Sequence, residues 1–234
     1  MTWGIIADID IESEKFRSIG SLRYTIAAIL FLLKRRTYSG RLFLLKADSV
    51  HESHLPRTSS KSGPQLRFIS NEKGDESYLS WEMKAGNYQM FVACNLPWIS
   101  LENFWSPNSV LDNGSLTVSY TPHLDTNAII AGMINGESGE ISVCKSVSSH
   151  NVVAFVLEPQ GYTYKKSKLF KSCATSLPRV MKGILNISGE PYSDDPIKVE
   201  VLPRILNVIT PGWFDAHRWK RAFEAKHQDL GLGL

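Results

Sequence analysis

Cysteine is scarce in this chain. Its 234 residues hold only Cys94, Cys144 and Cys173, an odd number at wide spacing with no CxxC pair. That argues against a disulfide framework and suits a reducing compartment. In that setting the two N-x-S/T sequons, at Asn113 and Asn186, read as chance matches. Long apolar runs are also missing. The longest, residues 26–33, has eight residues, whereas a bilayer needs about 20. No basic stretch precedes an apolar one at the start, so no signal peptide is read. Charge of one sign is not in excess: 26 Lys and Arg face 23 Asp and Glu, for a net +3. This is too mild to argue for nucleic acid, although the basic clusters at 34–36, 165–168 and 218–221 favour anionic surfaces locally.

The usual nucleotide and nucleophile signatures are absent as well. There is no GxxxxGK[ST], no GxGxxG after a strand and no Gly-x-Ser-x-Gly elbow. Asp8-x-Asp10-x-Glu12 resembles the start of a calcium loop. That loop needs Gly at its sixth position and Glu at its twelfth, and here those are Ser13 and Ile19. His51-x-x-His54 has no Cys or carboxylate partner at ligand spacing, so a solvated loop is its default reading. By motif alone the chain holds no complete active site.

What is present is mostly strand. Residues 3–11 alternate Ile9 and Ile11 with Asp8, Asp10 and Glu12 and read as a strand. Ser13 reads as an N-cap of one long helix, with Phe16, Ile19, Leu22, Ile26, Ile29, Leu30 and Leu33 at helical spacing. Within it, Phe16, Ile19 and Ile29 read as plain core. Lys34, Arg35 and Arg36 close that helix where cations belong. Further strands are expected at 41–45, 65–69, 77–83, 88–95, 115–120, 140–147, 151–158, 183–187 and 197–209, the last broken at Pro203. Residues 47–64, rich in Ser, His, Pro and Lys, read as a mobile loop, and 97–107 as an aromatic connector. Asn113-Gly114 signals a hairpin. Residues 123–134 read as a short helix and 213–229 as a C-terminal one. The sum is a β-rich α+β domain, an antiparallel sandwich with flanking helices, over residues 1–210, followed by a helical tail at 211–234.

The acidic cluster before the apolar helix invites two readings. One is a solvated strand end followed by a charged first turn. The other uses geometry. Residues 8, 10 and 12 lie on one face of a strand. Arg17 and Arg23, six apart on a helix, flank the same end. Acids that grip a cationic or hydroxylated head then sit near arginines that grip phosphates.

The segment WGIIADIDIESEKFRSIGSLRYT (3–25) strongly resembles the corresponding segment of sphingosine kinases, within the diacylglycerol-kinase-like lipid kinase family. RTYSGRL (36–42), NFWSP (103–107), VVAFVLEP (152–159) and the SGE of ISGEPY (187–192) continue the resemblance in the family's order. It implies the downstream, β-sandwich domain of a two-domain enzyme. The Gly-rich nucleotide-binding segment and the catalytic Asp would then belong to an upstream domain. By position Asp10 matches the aspartate that binds the sphingoid head group, and Glu14 an acidic residue nearby. Arg17 and Arg23 match arginines that contact ATP phosphates, and Gly189 and Glu190 fall at the nucleotide site. Ile6, Ile9, Tyr24 and Ala28 match positions lining the lipid tunnel, and more loosely Phe104, Ile129, Ile130 and Met133 fall at further tail contacts. Two departures stand out: Ser188 replaces the family's Asp before Gly-Glu, and Ala28 replaces a larger polar residue.

The implied activity is transfer of the ATP γ-phosphate, with Mg2+, to a sphingoid base. The implied setting is a cytoplasmic protein in peripheral contact with membranes, with a homodimer as a further expectation and no nucleic-acid partner. Two other readings stay open. A catalytically incomplete chain would only bind lipid, or a partner through the sandwich. A ceramide or diacylglycerol kinase relative would act on lipids without a free amine.

Overall fold

The computed structural model describes residues 1–20, 22–34, 36–50, 66, 68, 81–100, 103–107, 109–122, 139, 144–160, 180–193, 195–203, 205, 209–211, 215 and 217–229. Strand β1 (Thr2–Gly4) stops after three residues at Gly4. There φ is 85° and ψ −145°, a region that glycine alone enters at low cost. A Cβ at Gly4 would meet the Gln89 carbonyl oxygen at 2.6 Å. Helix α1 (Ile5–Ser13) follows, then a 3-10 segment (Glu14–Ile19), then helix α2 (Leu22–Lys34).

This corrects the strand expected at 3–11 and the single helix expected from Ser13. Asp8, Asp10 and Glu12 do not share one face of a strand. Arg36 donates hydrogen bonds to both Asp8 and Glu12. Four residues span about 6 Å along a helix axis, against about 13 Å along a strand. One guanidinium reaches both carboxylates only in the helix, so the ion cluster overrides the apolar alternation. Ser13 does not cap a long helix: it ends α1 and stands before the 3-10 segment without a side-chain cap bond, its hydroxyl donating back to the Asp10 carbonyl oxygen at 3.0 Å. Phe16 kinks the 3-10 segment (φ −107°, ψ 20°), and Gly20 breaks it from α2 with φ 64° and ψ −142°. Those two breaks rotate the helical period. As a result Ile19 and Ile29 are exposed and Phe16 is only half-buried, while Ala27, Ala28 and Phe31 form the buried side of α2. The basic end of the expected helix is also redeployed, because Arg36 turns inward to Asp8.

The remaining strands are β2 (Thr37–Lys46), β3 (Glu82–Tyr88), β4 (Met90–Cys94), β5 (Trp98–Ser100), β6 (Asn103–Phe104), β7 (Leu116–Thr121), β8 (Ser148–Gln160), β9 (Val180–Met181), β10 (Leu185–Ile187), β11 (Glu190–Tyr192) and β12 (Ile197–Glu200). Among the described residues, ten strands join one sheet in the order β11-β10-β1-β4-β7-β8-β2-β3, with β12 on β8 and β9 on β2; β5 and β6 form a small hairpin. Pairing is antiparallel except between β2 and β9. β8 is long enough to serve two neighbours on one edge: its residues 148–152 pair with β7 and 154–157 with β12. The sheet thereby coils over itself. Phe91 on β4 meets Phe155 on β8 with ring centroids 5.5 Å apart, and Trp3 on β1 meets Tyr38 and Tyr88 edge-on, each at 5.8 Å. These aromatics, with Leu42, Leu44, Met90 and Leu157, make the fully or nearly fully buried core.

The architecture is thus a β-rich α+β fold built on a large antiparallel sheet. β2 extends the expected 41–45 at both ends, and β12 stops at Glu200, short of the expected 209. Residues 144–147 form a turn rather than a strand. The helix expected at 123–134 and the strand at 65–69 lie outside the described residues or almost wholly so. At the C-terminus helix α3 (Arg218–Asp229) begins five residues later than expected. Asp215 accepts the His217 N–H at 3.0 Å before its first turn. Phe223 is buried against Phe104, ring centroids 6.0 Å apart, which docks the helix on the aromatic connector.

Candidate functional site

Helix α1 carries its carboxylates in two directions. Asp8 points inward and is 1% exposed. Its Oδ2 accepts from the Tyr38 hydroxyl at 2.6 Å and from Arg36 at 2.5 Å. Arg36 also donates to Glu12 at 3.0 Å and lies 4.5 Å over the Phe31 ring. Burial pushes the Asp8 carboxyl above its ordinary range, while Tyr38 and Arg36 pull it back. Burial, and after it Asp8, pushes the Tyr38 hydroxyl strongly up. That hydroxyl therefore stays protonated and donates. The network is a structural clamp between α1, α2 and β2. It sets the pose of the rest of α1.

Asp10 points elsewhere. Its Oδ2 accepts from the Asn186 side-chain amide at 2.5 Å. Asn186 sits in β10, pairs with Thr2 across the sheet and is 4% exposed. Its own Oδ1 accepts the Gly189 backbone N–H at 2.9 Å. Ser188 and Gly189 form the two-residue turn joining β10 to β11, with φ of 54° and 91°. Both values fall in the left-handed region that a type I′ hairpin turn demands. So the expected head-group carboxylate and the expected nucleotide-side turn are joined through one buried amide.

The third cluster gathers on Glu14, at the start of the 3-10 segment. Arg23 donates to Glu14 Oε1 and, at 2.6 Å, to the Tyr24 hydroxyl; Arg17 lies 3.7 Å from Glu14 Oε2. The Arg17 side chain is 83% exposed. The two arginines do not lie on one helix as expected. Arg17 is in the 3-10 segment and Arg23 in α2, on either side of Gly20, yet both converge on the same carboxylate. Chemically the set offers two cations, Arg17 exposed and Arg23 largely covered, that converge on one acid and could accept an anion.

Of the expected tunnel positions, Ile6 and Ile9 are half-buried and pack against the main core, Ala28 is buried, and Tyr24 is exposed. Phe104 is buried between Trp98, 4.9 Å away centroid to centroid, and Phe223. Glu190 and Gly189 are exposed at the turn. Ile129, Ile130 and Met133 lie outside the described residues. A cleft of about 680 Å³ lined by Lys46, Asp48, Ser49, Trp81, Glu82 and Met83 shares no residue with the Asp10 cluster. From the sequence Asp8 was read only as part of the acidic cluster, Arg36 only as a helix-closing cation and Asn186 only as a chance sequon, while Tyr38 was not singled out; their bonded roles were not read. Asp8 and Glu12 at i,i+4 carried a signal for a shared cation; Asn186, 176 residues from Asp10, carried none.

No family model matches the chain. Over 165 residues it is 30% identical to sphingosine kinase 2 of Arabidopsis thaliana, covering 68% of this chain and 34% of that protein. Over 215 residues it is 25% identical to sphingosine kinase 1 of Mus musculus, covering 89% of this chain and 50% of that one. A 71-residue stretch is 44% identical to sphingosine kinase B of Dictyostelium discoideum, covering 30% of this chain and 9% of that protein. The chain thus spans half or less of the length of these relatives. Taken with the β-rich fold and the acid–arginine constellation on α1 and its continuation, these matches show that the chain belongs to the sphingosine kinase family.

Proposed function

We propose that this chain is the lipid-binding part of a kinase that transfers the γ-phosphate of ATP to the primary hydroxyl of sphingosine or a related sphingoid base, giving sphingosine 1-phosphate. The observation that carries the reading is Asp10. It is half-buried, one oxygen is held by Asn186, and no other side-chain partner of it occurs among the described residues. A carboxylate so placed suits an ammonium and hydroxyl head. A charge-assisted bond of that kind contributes roughly 1.5–3 kcal/mol, while each buried methylene of the tail contributes about 0.8 kcal/mol. The tail therefore sets affinity, and Asp10 sets orientation and head-group choice.

Phosphoryl transfer rests on positioning and charge neutralisation. Arg17 and Arg23 suit the phosphates, exchanging their hold on Glu14 for the nucleotide. Among the described residues no three His, Cys, Asp or Glu side chains converge to hold a metal ion; Mg2+ would be carried chiefly by the phosphates themselves. The family resemblance assigns the general base to an upstream domain. No helix among the described residues is long and apolar enough to cross a membrane. Exposed Leu22, Ile26 and Ile29 on α2 support peripheral contact with the lipid surface that supplies the substrate.

The test is sphingosine phosphorylation by this chain alone and joined to the nucleotide-binding domain of a sphingosine kinase. Activity is expected only in the joined protein, with Asp10→Asn lowering kcat/KM by about tenfold or more. Faster turnover of diacylglycerol than of sphingosine would sink the substrate reading. A second reading, a chain that binds lipid without turning it over, draws on Ser188, which stands where the family carries Asp. An inactive joined protein that still binds sphingosine would favour it.

A further inference from the structure

The Asn186 side chain makes two bonds that fix its orientation. A backbone N–H can only donate, so Oδ1 must face Gly189, and the amide nitrogen is thereby turned to Asp10. No other side chain of this size does both. A carboxylate at 186 would satisfy Gly189 and repel Asp10. An apolar group would abandon both partners, and at 4% exposure water is a poor replacement. The amide also occupies only one Asp10 oxygen, leaving the other available to a ligand. Finally, the Gly189 N–H belongs to the turn that presents Glu190.

We propose that Asn186 is a positioning residue. It orients Asp10 for an ammonium head and couples head-group capture to the Ser188–Glu190 turn. The proposal rests on the sphingoid-base reading above. It makes β10 an active part of lipid discrimination rather than a passive strand. An amine bonded to the second Asp10 oxygen immobilises the carboxylate, and with it the Asp10–Asn186–Gly189 chain, whereas a neutral head leaves the carboxylate free to turn.

The test compares sphingosine with N-acetylsphingosine, which keeps the hydroxyls and loses the cationic amine. Binding of each to the full chain is measured by calorimetry, together with amide hydrogen exchange at Gly189. In the unaltered chain sphingosine is expected to bind at least about tenfold tighter than the neutral analogue and to slow exchange at Gly189, while N-acetylsphingosine does not slow it. Asn186→Ala is expected to lower the preference about tenfold, and to have no such effect in an Asp10→Asn background, because the residue acts through that carboxylate. Equal losses in both backgrounds would mean a purely structural role and overturn the proposal. So would an unchanged preference in folded Asn186→Ala, or an unaltered chain in which sphingosine leaves Gly189 exchange untouched. If the unaltered chain binds neither lipid, the sphingoid-base reading falls, and this inference with it.

Discussion

Arg36 bonds two carboxylates and covers one aromatic ring, so its removal should be felt through its partners. Asp8 would be left buried with Tyr38 as its remaining side-chain donor. Losing one member of a buried ion pair costs about 3–5 kcal/mol. Tyr38→Phe, which removes one hydroxyl from the same carboxylate, should cost about 1–3 kcal/mol. Urea unfolding of Arg36→Ala and Tyr38→Phe checks that order. The pH dependence follows from the raised pKa of Asp8. A raised acid contributes stability that is present below its unfolded value and lost as pH rises through its folded one. The penalty for Arg36→Ala should therefore be smaller at pH 4 than at pH 7; a penalty independent of pH would contradict the clamp. Ser188 poses the reverse case. Its φ of 54° is one that Asn and Gly adopt more readily. Ser188→Asn should relieve part of a left-handed cost of about 1–2 kcal/mol, read as a raised denaturation midpoint.

At the scale of elements, the decisive feature is the interruption between α1 and α2. Gly20 has open space around a hypothetical Cβ, so Gly20→Ala meets no clash. Its cost is the backbone conformation alone, about 1–3 kcal/mol. If the backbone relaxes instead, the 3-10 segment and α2 reorient, and Glu14 loses its joint hold on Arg17 and Arg23. In the joined protein Gly20→Ala is expected to raise KM for ATP more than KM for sphingosine, since Asp10 is held independently by Asn186. Equal changes in both would show that the two halves of the site move together. The alternation of residues 5–11 hid this helix. Ile5, Ala7, Ile9 and Ile11 fit a strand period, and only the Arg36 contact, 24 and 28 residues away, selects the helical one. The strands β2, β4, β7 and β8 were legible because each contains a stretch rich in β-branched, aromatic or leucine residues at continuous or alternating buried positions.

Across the molecule, β2 and β3 share one acid-sensitive site at the edge of the sheet. Lys46 on β2 and Lys84 on β3 both bond Glu82 and hold its carboxyl down at about 2, from an ordinary 4.5. A depressed acid contributes stability present above its unfolded value and lost as pH falls through its folded one. Stability from this pair should therefore fade between about pH 4.5 and pH 2. Glu82→Gln should flatten that acid limb and leave the neutral range little changed, as read by denaturation midpoints across pH. An acid limb of unchanged slope would place the titrating groups elsewhere.

The sequence by itself determined the β-rich class, the positions of β2, β4, β7, β8, β10 and β12, the family, and the identity of the acids and arginines, because apolar runs, turn residues and local charge are short-range properties. It did not determine which way those charges face. Asp8 and Asp10 are two residues apart and chemically identical, yet one is clamped in the core and the other bonded to β10. That split is set by Arg36, Tyr38 and Asn186, whose separations of 28, 30 and 176 residues only the folded sheet closes. The helical form of residues 5–13 and the link from Asp10 to the Gly189 turn were decided in the same way. Burying a charge demands a partner, and the tertiary structure alone says which partner is within reach.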